Sequence, residues 1–257
     1  MARRLSLVNL APLVTGVSAI NLLYAAVPSA SFRRRAIEKE LRMLKIDAGV
    51  HPQSQALSDG PAILVCNHLH SVLDVMLVKL LDPDCWVVMK SDVISEAPPL
   101  LRGPLTAFLQ TSLKVLYLTR DGHGRGHDPT IRDRVTAVLR RGGKVLVFAE
   151  GRTQRDGPPR TMFHGSLKIA ADVGCPVVPV AVGYRPAVGW EEGSALRNVL
   201  EVVQRDGGVR ARIMCGEAMA PVKPGEGIER RIEFVRCAVE AAYLRCVEEF
   251  PDGRAKL

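Results

Sequence analysis

Short, uninterrupted apolar runs alternate with longer stretches in which apolar positions recur every three or four residues, and this alternation extends from residue 62 almost to the C-terminal end. The apolar runs at 63–66, 85–89, 115–118, 145–148, 177–182 and 209–214 have the length and β-branched content of strands. The stretches at 71–81, 100–112, 129–141, 161–173 and 227–249 have the spacing of amphipathic helices. Regular alternation of this kind predicts an α/β fold: a central, mostly parallel or mixed sheet flanked by helices. Two segments break the rhythm. Residues 46–61, with Pro52, Gly60 and Pro61, read as a connection into the domain, and residues 185–208, rich in glycine and charge around Trp190, read as a loop or lid.

The N-terminal end follows a different pattern. Residues 5–28 carry no charge and lie between Arg3-Arg4 and Arg33-Arg34-Arg35. About 20 apolar residues suffice to span a bilayer as a helix, although Pro12, Gly16, Asn9 and Asn21 make this a poor spanning segment. A secretory signal ending near Ser29-Ala30-Ser31 and a segment dipping into one leaflet are the other readings. A retained anchor is preferred, because the cysteines point to a reducing compartment. The amphipathic run at 32–44, with Ile37, Leu41 and Leu44 on one side, either lies on the membrane or covers the core. The expected organisation is therefore a membrane-associating helical segment, 1–45, followed by an α/β domain, 46–257.

Composition narrows the functional classes. The chain has 257 residues, 47% of them hydrophobic, enough for a sizeable core. Lys and Arg number 35 against 27 Asp and Glu, a formal charge of +8 that suits an anionic partner. With only 5% aromatic residues, a nucleic-acid surface of stacked rings is excluded as a working hypothesis. The six cysteines are scattered without a CxxC pair, and read as buried thiols rather than a disulfide framework or zinc site.

Chemistry concentrates where apolar runs stop. The first strand empties into Asn67-His68-Leu69-His70, and Ser71 and Asp74 follow at the start of a helix. A histidine at a strand end, with an acid one turn into the next helix, is half of a general-base site. The same Ser71-x-x-Asp74 spacing is also that of a capping box. Two more runs end at Thr119-Arg120 and at Glu150-Gly151-Arg152. Carboxyl ends of strands line the ligand crevice of α/β sheets, so these ends are expected to converge, and a guanidinium there suits a phosphate.

Taken together, Asn67-His68 with Asp74, Leu118-Thr119-Arg120, Phe148-Ala149-Glu150-Gly151 and Pro176-Val177-Val178-Pro179-Val180 resemble, in order, the motifs of the glycerolipid acyltransferases related to lysophosphatidic acid acyltransferase and glycerol-3-phosphate acyltransferase. Two positions depart from the usual pattern. Five residues rather than four separate His68 from Asp74, a spacing shared with a bacterial branch of the family, and Ala149 replaces the usual proline. The longer spacing makes His70 a rival to His68. The resemblance implies acyl transfer from a thioester, acyl-CoA or acyl carrier protein, to a hydroxyl of a lyso-lipid or glycerol-phosphate acceptor. His68 and Asp74 would be catalytic, and Asn67, Ser71, Arg120, Glu150, Gly151 and Arg152 would bind substrate. No metal or resident cofactor is implied, the location implied is the cytoplasmic face of a membrane, and the partners are membrane lipids and the acyl carrier. A hydrolase using the same His and Asp, and a non-catalytic lipid-binding membrane protein, are the alternatives.

Overall fold

Continuous apolar strands signal a sheet covered on both faces, and the computed structural model has that architecture. It describes residues 29–91, 102, 106, 113–119, 128–148, 150–154, 157–188, 198, 201–202, 207–222 and 226–248. Helix α1 (Ala30–Met43) leads into β1 (Ile46–Val50) and β2 (Ala62–Cys66). Then come α2 (Ser71–Leu81), β3 (Trp86–Lys90), β4 (Val115–Leu118) and α3 (Pro129–Arg140). The chain continues through β5 (Lys144–Phe148), α4 (Gly165–Val173), β6 (Val177–Arg185), β7 (Val209–Cys215) and α5 (Ile228–Glu248).

The strands form one sheet of order β1-β7-β6-β2-β5-β3-β4. From β6 to β4 every pairing is parallel, whereas β7 runs antiparallel to β6 and carries β1 parallel beside it. The sheet is thus mixed and mostly parallel, as the sequence predicts. β2 lies inside it, with Cys66 level with Phe148 on one side and with Val180 on the other. All of β2 and the first eight residues of β6 are buried, which explains their lack of polar alternation.

Neighbouring residues on a strand point to opposite faces, and β6 uses both. Gly183 abuts α5, where an added Cβ would lie 3.0 Å from the Cβ of Cys246, while the Tyr184 hydroxyl reaches Asp74 of α2. Helices α2 and α5 therefore cover opposite faces. Helix α1 packs beside α2 and β1, and α3 and α4 sit beside one another on the α5 side.

The described part of the N-terminal segment covers the core. Ile37, Leu41 and Leu44 are buried, each such side chain contributing roughly 1.5–3 kcal/mol. At the start of α1, Arg33 pairs with Asp84, which also receives Lys114. Among the described residues no helix is long and apolar enough to cross a membrane; the uncharged run 5–28 lies outside them.

Several expectations change. Residues 46–50, read as part of a connection, are strand β1. The sequence IDAGV alternates over only five residues and includes a glycine, too weak a signal beside the apolar runs, and the strand forms by pairing with β7 at the sheet edge. That register is entered through Gly208, whose φ of +71° and whose approach to the Lys45 carbonyl, 2.5 Å from where a Cβ would sit, require glycine. Within the stretch read as a loop, Asn198, Glu201 and Val202 are helical. Arg102 and Thr106 are helical as expected, the rest of 100–112 up to Leu113 lying outside the described residues. Five cysteines are buried free thiols, but Cys237 on α5 is exposed. Lys79 is fully buried on the last turn of α2, where its ammonium donates to the carbonyls of Pro83 and Cys85 and fixes the turn into β3. Burial pushes its pKa down to about 8.

Candidate active site

At the carboxyl end of β2 the chain first spends a side chain on its own neighbour. Asn67, fully buried, accepts a hydrogen bond from the Val182 amide at 2.8 Å and donates one to the Val182 carbonyl at 3.0 Å. The side-chain amide thereby extends the β2–β6 pairing past the last backbone rung. Its placement is behind the loop, not facing outward.

The next residue is the one aimed outward. His68 keeps 13% of its side-chain surface exposed, its ring stacks on Phe148 at 3.9 Å with planes 16° apart, and its Nδ1 lies 2.9 Å from Asp74 Oδ2. A carboxylate only accepts, so Nδ1 carries the hydrogen and Nε2 presents its lone pair. The same Oδ2 accepts from the backbone amides of Leu69 and His70, each at 2.8 Å, and Oδ1 accepts from the Tyr184 hydroxyl at 2.6 Å. Four donors compensate a carboxylate that has no exposed surface.

His70 is differently employed. It is the N-cap of α2, its Nδ1 accepting from the Leu73 amide at 3.3 Å, and its ring is fully buried. Burial pushes it down to about 4, so at neutral pH it is an uncharged structural ring. The expected Ser71 cap is corrected accordingly: Ser71 is the first helical residue, its side chain outside the described residues, and Asp74 reaches back to amides ahead of the helix. The extra residue between His68 and Asp74 is the one that lets His70 cap while His68 faces the acid.

The loop after β5 closes the other side. Because β5 is parallel to β2 and in register at Phe148, residues 150–154 emerge beside His68. The Gln154 amide donates to the His68 carbonyl at 2.7 Å, and the Glu150 carboxyl faces the amides of His68 and Arg160. Gly151, with φ +66°, makes the tight turn, its amide donating to the Phe148 carbonyl at 3.0 Å. Arg152 is exposed next to it. Arg120 lies outside the described residues, but β4 ends at Leu118 on the same edge of the sheet. There Asp128 caps α3 and pairs with Arg134, which also donates to the Tyr117 carbonyl.

Glu150 is 5% exposed, and burial pushes its carboxyl up from 4.5 to about 7. Its Oε1 is buried without a hydrogen-bond partner among the described residues. The folded state therefore holds a proton that the unfolded chain releases between these values. The stability this confers is present below about 4.5 and lost as pH rises through about 7. Glu150→Gln removes that dependence: between pH 5 and 8, urea unfolding of the variant should gain up to about 3 kcal/mol on the parent. A parent-to-variant difference that stays constant with pH would refute this.

Sequence reasoning missed Tyr184, the stacking of Phe148 on His68 and the capping role of His70. Tyr184 lies two residues beyond the apolar run at 177–182 and belongs to β6 in the structure, and only the sheet order sets it against α2.

Comparison with known proteins adds the context. The Acyltransferase family model matches residues 47–183, just over half of the chain. Over 126 residues the chain is 33% identical to a lyso-ornithine lipid O-acyltransferase of Pseudomonas aeruginosa, covering 49% of this chain and 44% of that protein. Over 148 residues it is 26% identical to the putative 1-acyl-sn-glycerol-3-phosphate acyltransferase acl-2 of Caenorhabditis elegans, covering 57% and 49%. The chain thus spans less than half the length of these two relatives. The crystal structure of the 1-acyl-sn-glycerophosphate (LPA) acyltransferase PlsC from Thermotoga maritima superposes with a TM-score of 0.58 at 18% identity, covering 97% of this chain and 94% of that one. That likeness is one of fold.

Proposed function

The chain belongs to the acyltransferase family, and from that premise we propose that it moves a fatty acyl group from a thioester to the hydroxyl of a lyso-lipid. The observation that carries the proposal is the His68–Asp74 pair, 2.9 Å apart at the carboxyl edge of parallel strands, with the ring partly exposed and the acid buried. The acceptor oxygen attacks the thioester carbonyl carbon as its proton passes to His68 Nε2. The C–S bond then breaks, and the leaving thiolate takes that proton back from the imidazolium. Asp74 holds the ring in the tautomer that frees Nε2. No side-chain nucleophile and no metal enters these steps.

Acceptor recognition is assigned to Arg120, Arg152 and Glu150. The guanidiniums of Arg120 and Arg152 suit an anionic head group, phosphate or carboxylate, because a planar fork binds two oxygens at once. The Glu150 Oε1, without a partner among the described residues, suits a hydroxyl donor on the acceptor. The acyl carrier is acyl-CoA or acyl carrier protein; the uncharged run 5–28 with its flanking arginines supports a location at a membrane, and the scattered cysteines without a CxxC pair support its cytoplasmic face.

The test incubates the purified chain with labelled acyl-CoA or acyl carrier protein and a panel of lysophosphatidate, glycerol 3-phosphate, lyso-ornithine lipid and a neutral lysophospholipid. One anionic lyso-lipid is expected to be acylated. Thioester consumption without acylated lipid would replace the proposal with a hydrolase, and lipid binding without thioester consumption would replace it with a non-catalytic lipid-binding protein.

A further inference from the structure

β6 touches the base-bearing loop and the helix that follows it through two alternate residues. Val182 binds the Asn67 side chain through its backbone, and Tyr184 donates its hydroxyl to Asp74 Oδ1 at 2.6 Å. Tyr184 is 2% exposed, and its hydrogen bond is the only side-chain contact to that oxygen given by the described residues. Between them, Gly183 is pressed against Cys246 and Val247 of α5, so the strand segment is backed from behind. Burial, reinforced by Asp74, holds the phenol well above its ordinary range. The hydroxyl therefore remains a donor across the working pH range.

We infer that Tyr184 is a positioning residue for the general base: its hydroxyl fixes the rotation of the Asp74 carboxylate so that Oδ2 meets His68 Nδ1, and by sharing the carboxylate's charge it moderates the pull on the ring's proton. This rests on the acyl-transfer reading above. Other titratable and charged groups surround the pair. His70 lies on the same loop, Cys66 of β2 is close to Asp74, and Glu150 with Arg152 lies on the loop after β5. None of them donates to Oδ1 in the described structure. A carboxylate relieved of one donor draws the imidazole proton more strongly, and one held through Oδ2 alone, by His68 and the Leu69 and His70 amides, is less tightly fixed in rotation.

Tyr184→Phe keeps the ring and deletes the hydroxyl. Expected are a kcat lowered about tenfold with KM changed less than about twofold, and an acid limb of kcat/KM moved to higher pH by about half a unit. In an Asp74→Ala background the same substitution should lower kcat no further, since the partner is already gone. By proton NMR, the low-field His68 Nδ1–H resonance of the parent should move further downfield in Tyr184→Phe. A parental kcat and pH profile in a folded Tyr184→Phe would overturn the inference. So would a loss that multiplies in the double variant, or one that matches the unfolded fraction by circular dichroism. Should the parent acylate nothing in the panel, the functional reading fails, and the resonance alone decides the positioning role: an unchanged resonance overturns it, a displaced one upholds it.

Discussion

His68→Ala should lower acyl transfer by about 10²–10⁴-fold, the range that a positioned general base contributes, while the protein stays folded. The ring is partly exposed and its main contacts are one hydrogen bond to Asp74 and the stack on Phe148. Its removal leaves Asp74 with the Leu69 and His70 amides and the Tyr184 hydroxyl, so no buried charge is abandoned. Rate and thermal unfolding, measured on the same preparations, separate chemistry from stability. His70→Ala has the opposite profile, because that ring is fully buried and caps α2: unfolding temperature falls, and activity per folded molecule falls far less than in His68→Ala. Transfer surviving in His68→Ala but lost in a folded His70→Ala would reverse the assignment.

The second large effect is on folding. Asn67→Asp, isosteric with the parent, should destabilise by about 3 kcal/mol or more, and by more than Asn67→Ala. The amide both accepts from the Val182 amide and donates to the Val182 carbonyl, with no solvent exposure. Alanine leaves those two backbone groups unsatisfied, at about 1–3 kcal/mol each. Aspartate keeps the acceptor but turns a second oxygen, and a buried negative charge, towards a carbonyl. Chemical denaturation at pH 7 ranks the three proteins; an Asn67→Asp as stable as the parent would show that the clamp contributes little.

Much of the fold is legible in the chain because its strands are buried on both faces. For β2, β4, β5 and β6, apolar continuity marks the run to within a residue or two of its start, and the abrupt polar stop marks the carboxyl edge. β1 is hard to read because its alternation of Ile46, Ala48 and Val50 covers only five residues, one of the intervening ones a glycine, and it becomes a strand by pairing with β7. The site divides along the same line. His68 and Asp74 are neighbours in sequence, so spacing reveals them, although which histidine faces the acid depends on which one caps α2, and that is a matter of backbone geometry. Asn67 is visible as a motif residue but its role is not, because Val182 lies 115 positions away. Tyr184, 110 positions from Asp74, carries no local signal at all.

Those two separations also govern when the site comes into being. β2 and α2 are made early, yet the Asn67 clamp and the Tyr184 hydrogen bond both await β6. Closing loops of more than a hundred residues is entropically slow compared with forming local helices. A nascent chain that has emerged only as far as β5 holds its base and its acid without the strand that orders them. Helix content in a refolding chain should return first and catalytic competence last, which makes activity a report on complete closure of the sheet.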